Sequence, residues 1–312
     1  VQRLTRIATR RSRLALWQAN HVARLLTQAH PDLSVELVPM TTQGDRVHDR
    51  PLADVGGKGL FVKELERAIA DGRAELAVHS MKDVPSEMPP GMTIAAVLPG
   101  ADPRDAFVSR RYRSLGELPA GARVGTSSPR RQAQLAHLYP DVTVVPLRGN
   151  VDTRLARLED GALDAILLAC AGLERLGFAD RISEVLDPET FVPAVGQGVI
   201  GIECGASDAS SRAIVAALHD PPTALRLAAA RAFAGRLHGS CHSPIAGHAS
   251  LQGETLVLSG FVGSPDGRQA YRDRVAGPVL TATALGLGLA ERMLDAGAAG
   301  LLERLRRASD SP

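Results

Sequence analysis

The sequence predicts an α/β protein: two doubly wound lobes in series, followed by a small α+β domain. Three observations predict it. Strand-like and helix-like periodicities alternate from residue 4 to residue 98, and the same alternation starts afresh at 122 and runs to 170. After about 221 the texture changes to one helix, three strand-like runs and an Ala/Leu-rich helix. At 312 residues the chain is long enough for two or three units, each with its own core.

In the first unit "LTRIAT" (4–9) reads as a short strand, and Ser12 caps a helix with Leu14, Trp17, Val22 and Leu25 on one side. "VELVPM" (35–40) is a strand, and a polar, glycine-rich loop follows through Gly59. Phe61, Leu65 and Ile69 make the stripe of the next helix, which Gly72 ends. "ELAVHS" (75–80) and "TIAAVL" (93–98) complete a βαβαβ series. The second unit runs through "ARVGTSS" (122–128), a helix from Pro129 to about Leu138, "VTVVPL" (142–147), a helix over 150–161 and the buried strand "DAILLAC" (164–170). "VIGIEC" (199–204) is one more strand, returning to the first lobe. Beyond 221 come a helix (222–235), a cysteine loop, strands at 244–250, 254–262 and 269–276, and a long helix from about 280. The expected domains are 1–98 with 199–216, then 104–193, then 221–312.

Composition removes several function classes. A net charge of only +2 argues against a nucleic-acid binder that works through bulk electrostatics. No apolar run nears the roughly 20 residues of a membrane helix. Three cysteines, an odd number, disfavour a disulfide framework and fit a reducing cytosol. The Arg-rich start, without an acidic residue before Asp32, has the look of a transit peptide. "LTRIATRRS" reads instead as a strand running into a helix cap, so a cytoplasmic protein is expected. Of the basic residues 33 are Arg, and the three lysines, Lys58, Lys63 and Lys82, share one 25-residue window. Such clustering points to a use for the compact ammonium there.

The helix starts carry the chemistry. In "GTSSPRRQ" (125–132) Ser128 is an N-cap and Pro129 sits at N1, which places Arg130 and Arg131 in the first turn, where the helix dipole is already positive. Free amides and two guanidiniums form a carboxylate or phosphate site, unless both arginines are simply solvated. "LRGNVDTR" (147–154) repeats the design with Arg148, an Asn150 cap and Arg154, and "RIATRRS" adds Arg10 and Arg11 ahead of Ser12. In doubly wound sheets these turns gather at the carboxyl edge, where ligands bind. Several arginines around one cleft imply a ligand with several anionic groups. No Walker lysine motif or G-x-G-x-x-G is present, which disfavours a nucleotide. "VHSMKDVPS" ends a strand with His79, Ser80, Lys82 and Asp83. A carboxylate among cations stays ionised and stabilises positive charge on a substrate; on spacing alone, Asp83 equally suits a turn ahead of Pro85.

Cys170 and Cys204 read as core residues. Cys241, in "RLHGSCHSP", lies in a Gly/Ser turn between His238 and His242. It reads as a nucleophile or attachment point, or else as an exposed thiol on a mobile loop. No second Cys/His cluster completes a zinc site.

Eight motifs in order, "RIATRRSRLALWQA", "GGKGLFVKELE", "AVHSMKDVPS", "DPRDAFVS", "VGTSSPRRQ", "LRGNVDTRL", "PAVGQGVIGIEC" and "GSCHSPIAG", closely resemble the porphobilinogen deaminase (hydroxymethylbilane synthase) family over nearly the whole chain. The resemblance implies two periplasmic-binding-protein-like lobes plus a small third domain, and a covalent dipyrromethane cofactor. It implies the head-to-tail joining of four porphobilinogens with loss of ammonia, and release of 1-hydroxymethylbilane by hydrolysis. Matched motif by motif, Cys241 is the cofactor-attachment thiol and Asp83 the catalytic carboxylate, placed to stabilise azafulvenium-like and cationic pyrrole states. Arg10, Arg130, Arg131, Arg148, Arg154 and Arg175 are matched to the acetate and propionate groups. Ser12, Lys58, Ser80, Lys82, Thr126, Ser128 and Gln197 complete the implied cofactor- and substrate-binding set. A monomer without nucleic-acid or membrane partners is expected. Departures from the family pattern are Asp54 for a Lys, Arg13 for a Pro, Pro129 for a Leu, and Ser240 and His242 for a Gly and a Gln. The rival readings are a solute-binding protein, which suits two lobes with an Arg-lined cleft, and an Arg-rich nucleic-acid binder. Cys241 and Asp83 weigh against the first, balanced charge against the second.

Overall fold

The computed structural model describes residues 3–46, 59–239 and 243–310, and in them the chain builds three sheets. The first lobe begins with β1 (Arg3–Arg10), α1 (Arg13–Ala29), β2 (Leu33–Met40), α2 (Gln43–Arg46), α3 (Lys63–Ala70), β3 (Leu76–Ser80) and β4 (Met92–Val97). The second holds β5 (Asp105–Ser109), β6 (Arg123–Gly125), α4 (Pro129–Leu138), β7 (Thr143–Val145), α5 (Val151–Glu159), β8 (Ala165–Ala169), α6 (Cys170–Arg175) and β9 (Glu184–Val185). Then β10 (Ile200–Gly205) and α7 (Ala209–Val215) rejoin the first lobe. The third unit is α8 (Pro221–Arg236), β11 (Ile245–Gln252), β12 (Thr255–Gly263), β13 (Ala270–Pro278), α9 (Ala282–Met293) and α10 (Ala299–Asp310).

The two lobes share one plan. Their strand orders are β2-β1-β3-β10-β4 and β7-β6-β8-β5-β9. In each, the first three strands are parallel, the fourth runs antiparallel to them, and the fifth pairs antiparallel with the fourth. The antiparallel insert β10 reaches the first sheet from beyond the second lobe, while β5 opens the second lobe directly after the first. The chain therefore crosses between lobes twice, over 98–104 and 186–199. The crossings touch: Ala101 N donates to Gly198 O at 3.2 Å. Gly198 has a φ of +84°, and a Cβ there would fall 2.6 Å from Ala101 O, so only glycine fits this contact.

Local sequence explains the layers. In β8 successive side chains point to opposite faces. Ile166 and Leu168 pack with Leu155 and Leu173 beneath α5 and α6, and Ala165 and Leu167 pack with Leu135 of α4 on the other side. Strands covered on both faces read as continuous apolar runs for this reason. By contrast β13 alternates between partly buried and exposed residues, because only one face of the third sheet is covered. Phe233 of α8 is fully buried against Leu258, Leu289 and Met293 there, and truncating it to Ala would cost about 3–5 kcal/mol.

Four local expectations change. The core face of α1 is Ala15, Ala19, Val22 and Leu26, while Trp17 is 36% exposed; the small residues let the helix lie close to the sheet and turn Trp17 toward the second lobe. Phe61 precedes α3 instead of lying on it, and stacks under Arg10 with the guanidinium 4.2 Å from its ring centre. Two strands are unread in the sequence: β5, which lies buried between β8 and β9, and the two-residue edge strand β9. The last helix is broken at Gly297, where φ is +115° and a Cβ would meet Tyr271 Oη at 2.9 Å. Cys170 and Cys204 are buried, as expected, and burial first of all pushes their thiols up to about 12 and about 11. No described helix is long and apolar enough to cross a membrane.

Candidate active site

The turns that leave the carboxyl ends of the strands face each other across a cavity of about 1280 Å³. The first lobe supplies Arg10–Arg13 after β1 and Lys82–Ser86 after β3, and the second supplies Thr126–Arg131 after β6 and Arg148–Arg154 after β7. This exceeds the roughly 300–1,000 Å³ that suits one drug-sized molecule. Among the described residues, nine cationic side chains line it against five carboxylates. Such an excess matches a ligand bearing several carboxylates.

Asp83 closes a single tight turn, Met81–Asp83, at the end of β3. Met81 is buried against Val84, Val97 and Leu227, which anchors the turn while Asp83 looks into the cavity. From below, Arg231 of α8 donates to the carbonyls of Val84, Pro85 and Ser86 at 3.3, 2.7 and 3.0 Å. Arg10 Nη1 lies 3.9 Å from Asp83 Oδ2. The same guanidinium is held by Asp45, with Nε 3.2 Å from both carboxylate oxygens. Lys82 Nζ donates to Gln197 Oε1 at 3.5 Å. Burial above all lowers the Lys82 ammonium to about 8; Asp83 and Asp105 oppose the shift, and Arg131 and Arg130 add to it.

On the second lobe Ser128 accepts from Arg131 N at 3.4 Å, as a cap should. Arg130 and Arg131, expected either to serve a ligand or to be solvated, are not solvated and carry a protein partner as well. Both are buried, and both donate to Asp105, which is fully buried at the start of β5. Burial alone would raise the Asp105 carboxyl, but the two arginines outweigh it and hold it well below the usual carboxylate range. Arg154 donates from Nε to Gly149 O at 2.8 Å. Burial, then repulsion from Arg131 and Arg148, lowers it to about 10; a ligand carboxylate would relieve that strain. Asn150 stands at the N-cap of α5 but makes no side-chain cap bond.

Of the expected residues, Arg10, Ser12, Lys82, Asp83, Thr126, Ser128, Arg130, Arg131, Arg148, Arg154 and Gln197 line the one cavity. Ser80 and Arg175 are not among its lining. The Ser80 hydroxyl exchanges hydrogen bonds with the Gln18 amide at 2.8 and 3.1 Å. Arg175 donates to Gly198 O at 2.7 Å and lies over Trp17 of the first lobe. Arg13, in reply, lies over Phe178 of the second lobe and pairs with Asp152 at 2.6 Å. Cys241 and Lys58, with Asp54, Ser240 and His242, fall outside the described residues. Flanking the first of these, Gly239 and Ser243 line the cavity. His238, with φ at +53°, turns the chain out of α8 in the left-handed conformation that usually falls to glycine after a helix. Sequence reasoning missed Asp105, Asp45 and Arg231. Asp105 opens the apolar run "DAFV", a charged start to a buried strand, and that was the available signal.

A family model described as porphobilinogen deaminase, dipyromethane cofactor binding domain, matches residues 5–213. The chain belongs to the porphobilinogen deaminase family. A second model, the porphobilinogen deaminase C-terminal domain, matches residues 224–295. The function is tetrapyrrole synthesis, by the transferase activity of hydroxymethylbilane synthase on a dipyrromethane cofactor. The donor set suits that group: the cavity has cations in excess for two acetates and two propionates, and a carboxylate, Asp83, of the kind that accepts from pyrrole N–H. Among solved structures the chain is similar to a putative methionine-binding lipoprotein of Bacillus subtilis subsp. subtilis str. 168, with TM-score 0.44, 12% identity, and coverage of 71% of this chain and 92% of that one. It is also similar to the periplasmic VFT2 domain of Bordetella pertussis BvgS (0.42, 17%, 69% and 86%). A third is an ABC transporter periplasmic substrate-binding protein of Coxiella burnetii (0.43, 14%, 70% and 94%).

Proposed function

We propose that Asp83 is the catalytic carboxylate of this cleft and that the surrounding cations sort the acidic side chains of the pyrroles. What carries the reading is the position of Asp83 at the end of its turn, inside a cation-lined cavity to which both lobes contribute. Arg10, Arg148 and Arg154, with Lys82 and the outward N–H groups of Arg130 and Arg131, bind acetates and propionates. Thr126 and Ser128 add hydroxyl donors. Fixed by these contacts, a ring presents its N–H to Asp83, whose oxygens accept it and stabilise the positive charge that develops as porphobilinogen loses ammonia. Asp83 Oδ then holds the proton that the newly joined ring must lose, and returns it to solvent. The dipyrromethane, when bound, supplies the terminal pyrrole carbon to which the first substrate is joined. Cys241 is the attachment residue, on a loop whose described flanks face the cavity.

The domains implied are 1–98 with 199–216, 104–193 and 221–312. The enzyme works as a cytoplasmic monomer without membrane or nucleic-acid partners; the modest net charge of +2 supports the last point.

Intact-mass measurement tests the attachment. Wild-type protein is expected to run heavier than its sequence by two pyrrole units and to form a ladder of added pyrroles with porphobilinogen. Cys241→Ser should show neither. Retention of the added mass in that variant moves the attachment elsewhere.

A further inference from the structure

Arg130 and Arg131 do not face the cleft unassisted. Asp105 accepts from Arg130 Nη1 and Nη2 at 2.7 and 3.0 Å and from Arg131 Nε and Nη2 at 2.9 and 2.6 Å. Each guanidinium is also tied to the backbone, Arg130 to Val192 O at 2.8 Å and Arg131 to Leu167 O at 3.0 Å. The forks that hold Asp105 are no longer available to a ligand carboxylate. What remains for a ligand is one net positive charge and a few N–H bonds of fixed direction.

A third donor reaches the same carboxylate. Gln197 Nε2 lies 3.1 Å from Asp105 Oδ1 and 2.7 Å from Pro103 O. Its Oε1 accepts from Lys82, the neighbour of Asp83. Gln197 belongs to the return crossing between lobes, Pro103 to the outward one, and its side chain is buried. A continuous set of hydrogen bonds thus runs from the Lys82–Asp83 turn of the first lobe, through both crossings, to the arginines of the second.

We propose that Asp105 is a positioning residue for the polymerisation: through Gln197 it sets Arg130 and Arg131 in register with the Lys82–Asp83 turn, so that a ring held by its carboxylate on the second lobe meets Asp83 with its N–H. Asp105 does not touch substrate; it acts through the two guanidiniums. The proposal rests on the reading that Asp83 does the chemistry.

The test is steady-state kinetics on cofactor-loaded enzyme, with the loaded fraction counted by intact mass. Asp105→Asn keeps the shape and removes the charge. Its kcat per loaded site should fall about 10- to 100-fold, the penalty of a small misplacement, while KM for porphobilinogen stays level or falls, because the uncompensated guanidiniums still attract carboxylates. Gln197→Met leaves every charge in place and should show the same split, with kcat down about threefold or more and KM within about twofold. If Asp105→Asn yields no loaded protein, Gln197→Met decides alone. Values of kcat within about twofold of wild type, or a rise in KM at constant kcat, overturn the proposal. Asp83→Asn is run alongside. Should that variant turn over normally, the underlying reading fails; should it be dead while the others behave as wild type, only the present inference fails.

Discussion

Arg10 stands between two carboxylates and is bound mainly by one of them. Asp45 takes its Nε and an Nη, and Thr42 holds Asp45 in turn, with Oγ1 donating at 2.7 Å. Asp83, on the other side, is left at 3.9 Å from Nη1. Asp45 thereby keeps a cation close to Asp83, the proposed catalytic carboxylate, without letting it close on it. In Asp45→Asn the guanidinium should swing onto Asp83 and compete with pyrrole N–H groups. We expect kcat to fall several-fold and stability by about 1–3 kcal/mol; kinetics and a melt check both.

Replacing Asp83 by Asn keeps the turn, whose anchors are Met81 and the backbone bonds from Arg231. Loss of the charge should reduce turnover by about 10²–10³-fold or more. Covalent cofactor, read by intact mass, should remain at the level found in the wild type.

Lys82 gives the cleft a pH response. With its ammonium lowered to about 8, chiefly by burial, the charge that attracts carboxylates disappears as pH rises through that value. KM for porphobilinogen should climb several-fold across this range, and Lys82→Arg should flatten the rise. Folding responds with the opposite sign. The charged ammonium is the disfavoured form in the fold, so the free protein gains stability as pH rises from about 8 toward the ordinary lysine range. Profiles of KM and of melting temperature against pH separate the two effects.

Arg231 reaches from the third unit to the segment just after Asp83. Arg231→Met retains most of the stem but leaves three carbonyls without this donor. The expected result is a kcat loss of about tenfold, from an Asp83 turn that is no longer fixed. Equal turnover per loaded site in mutant and wild type would show that the turn holds without it.

His248, on β11, is lowered to about 4, first by burial and then by Arg226, with Asp102 opposing. It is neutral in the fold, whereas the unfolded chain protonates it below the usual histidine range. Stability should therefore fall as pH drops toward 4, by on the order of 2 kcal/mol near pH 5. In His248→Gln the difference in melting temperature between pH 7.5 and 5 should shrink accordingly.

The division of the fold into lobes was legible because periodicity is local. Ile166, Leu167 and Leu168 announce a strand covered on both faces, and Ser12 and Ser128 announce helix starts that the structure confirms as caps. Strand order was not legible, because pairings such as Ile202 with Val78 join residues far apart in sequence. The same limit applied to the site. Arg130 and Arg131 stand out at a helix start, but their partner Asp105 lies 25 residues earlier, on a strand too short to show a period. Arg175 carries a familiar motif position, yet the nearness of Trp17 and Gly198 O directs it to the boundary between lobes.

The paired crossings have a mechanical consequence. Two covalent straps, lying side by side and joined between Ala101 and Gly198, hold the lobes together along one line. A rotation of the lobes about that line would widen the gap between the cleft walls and leave the order of side chains along each wall as it is.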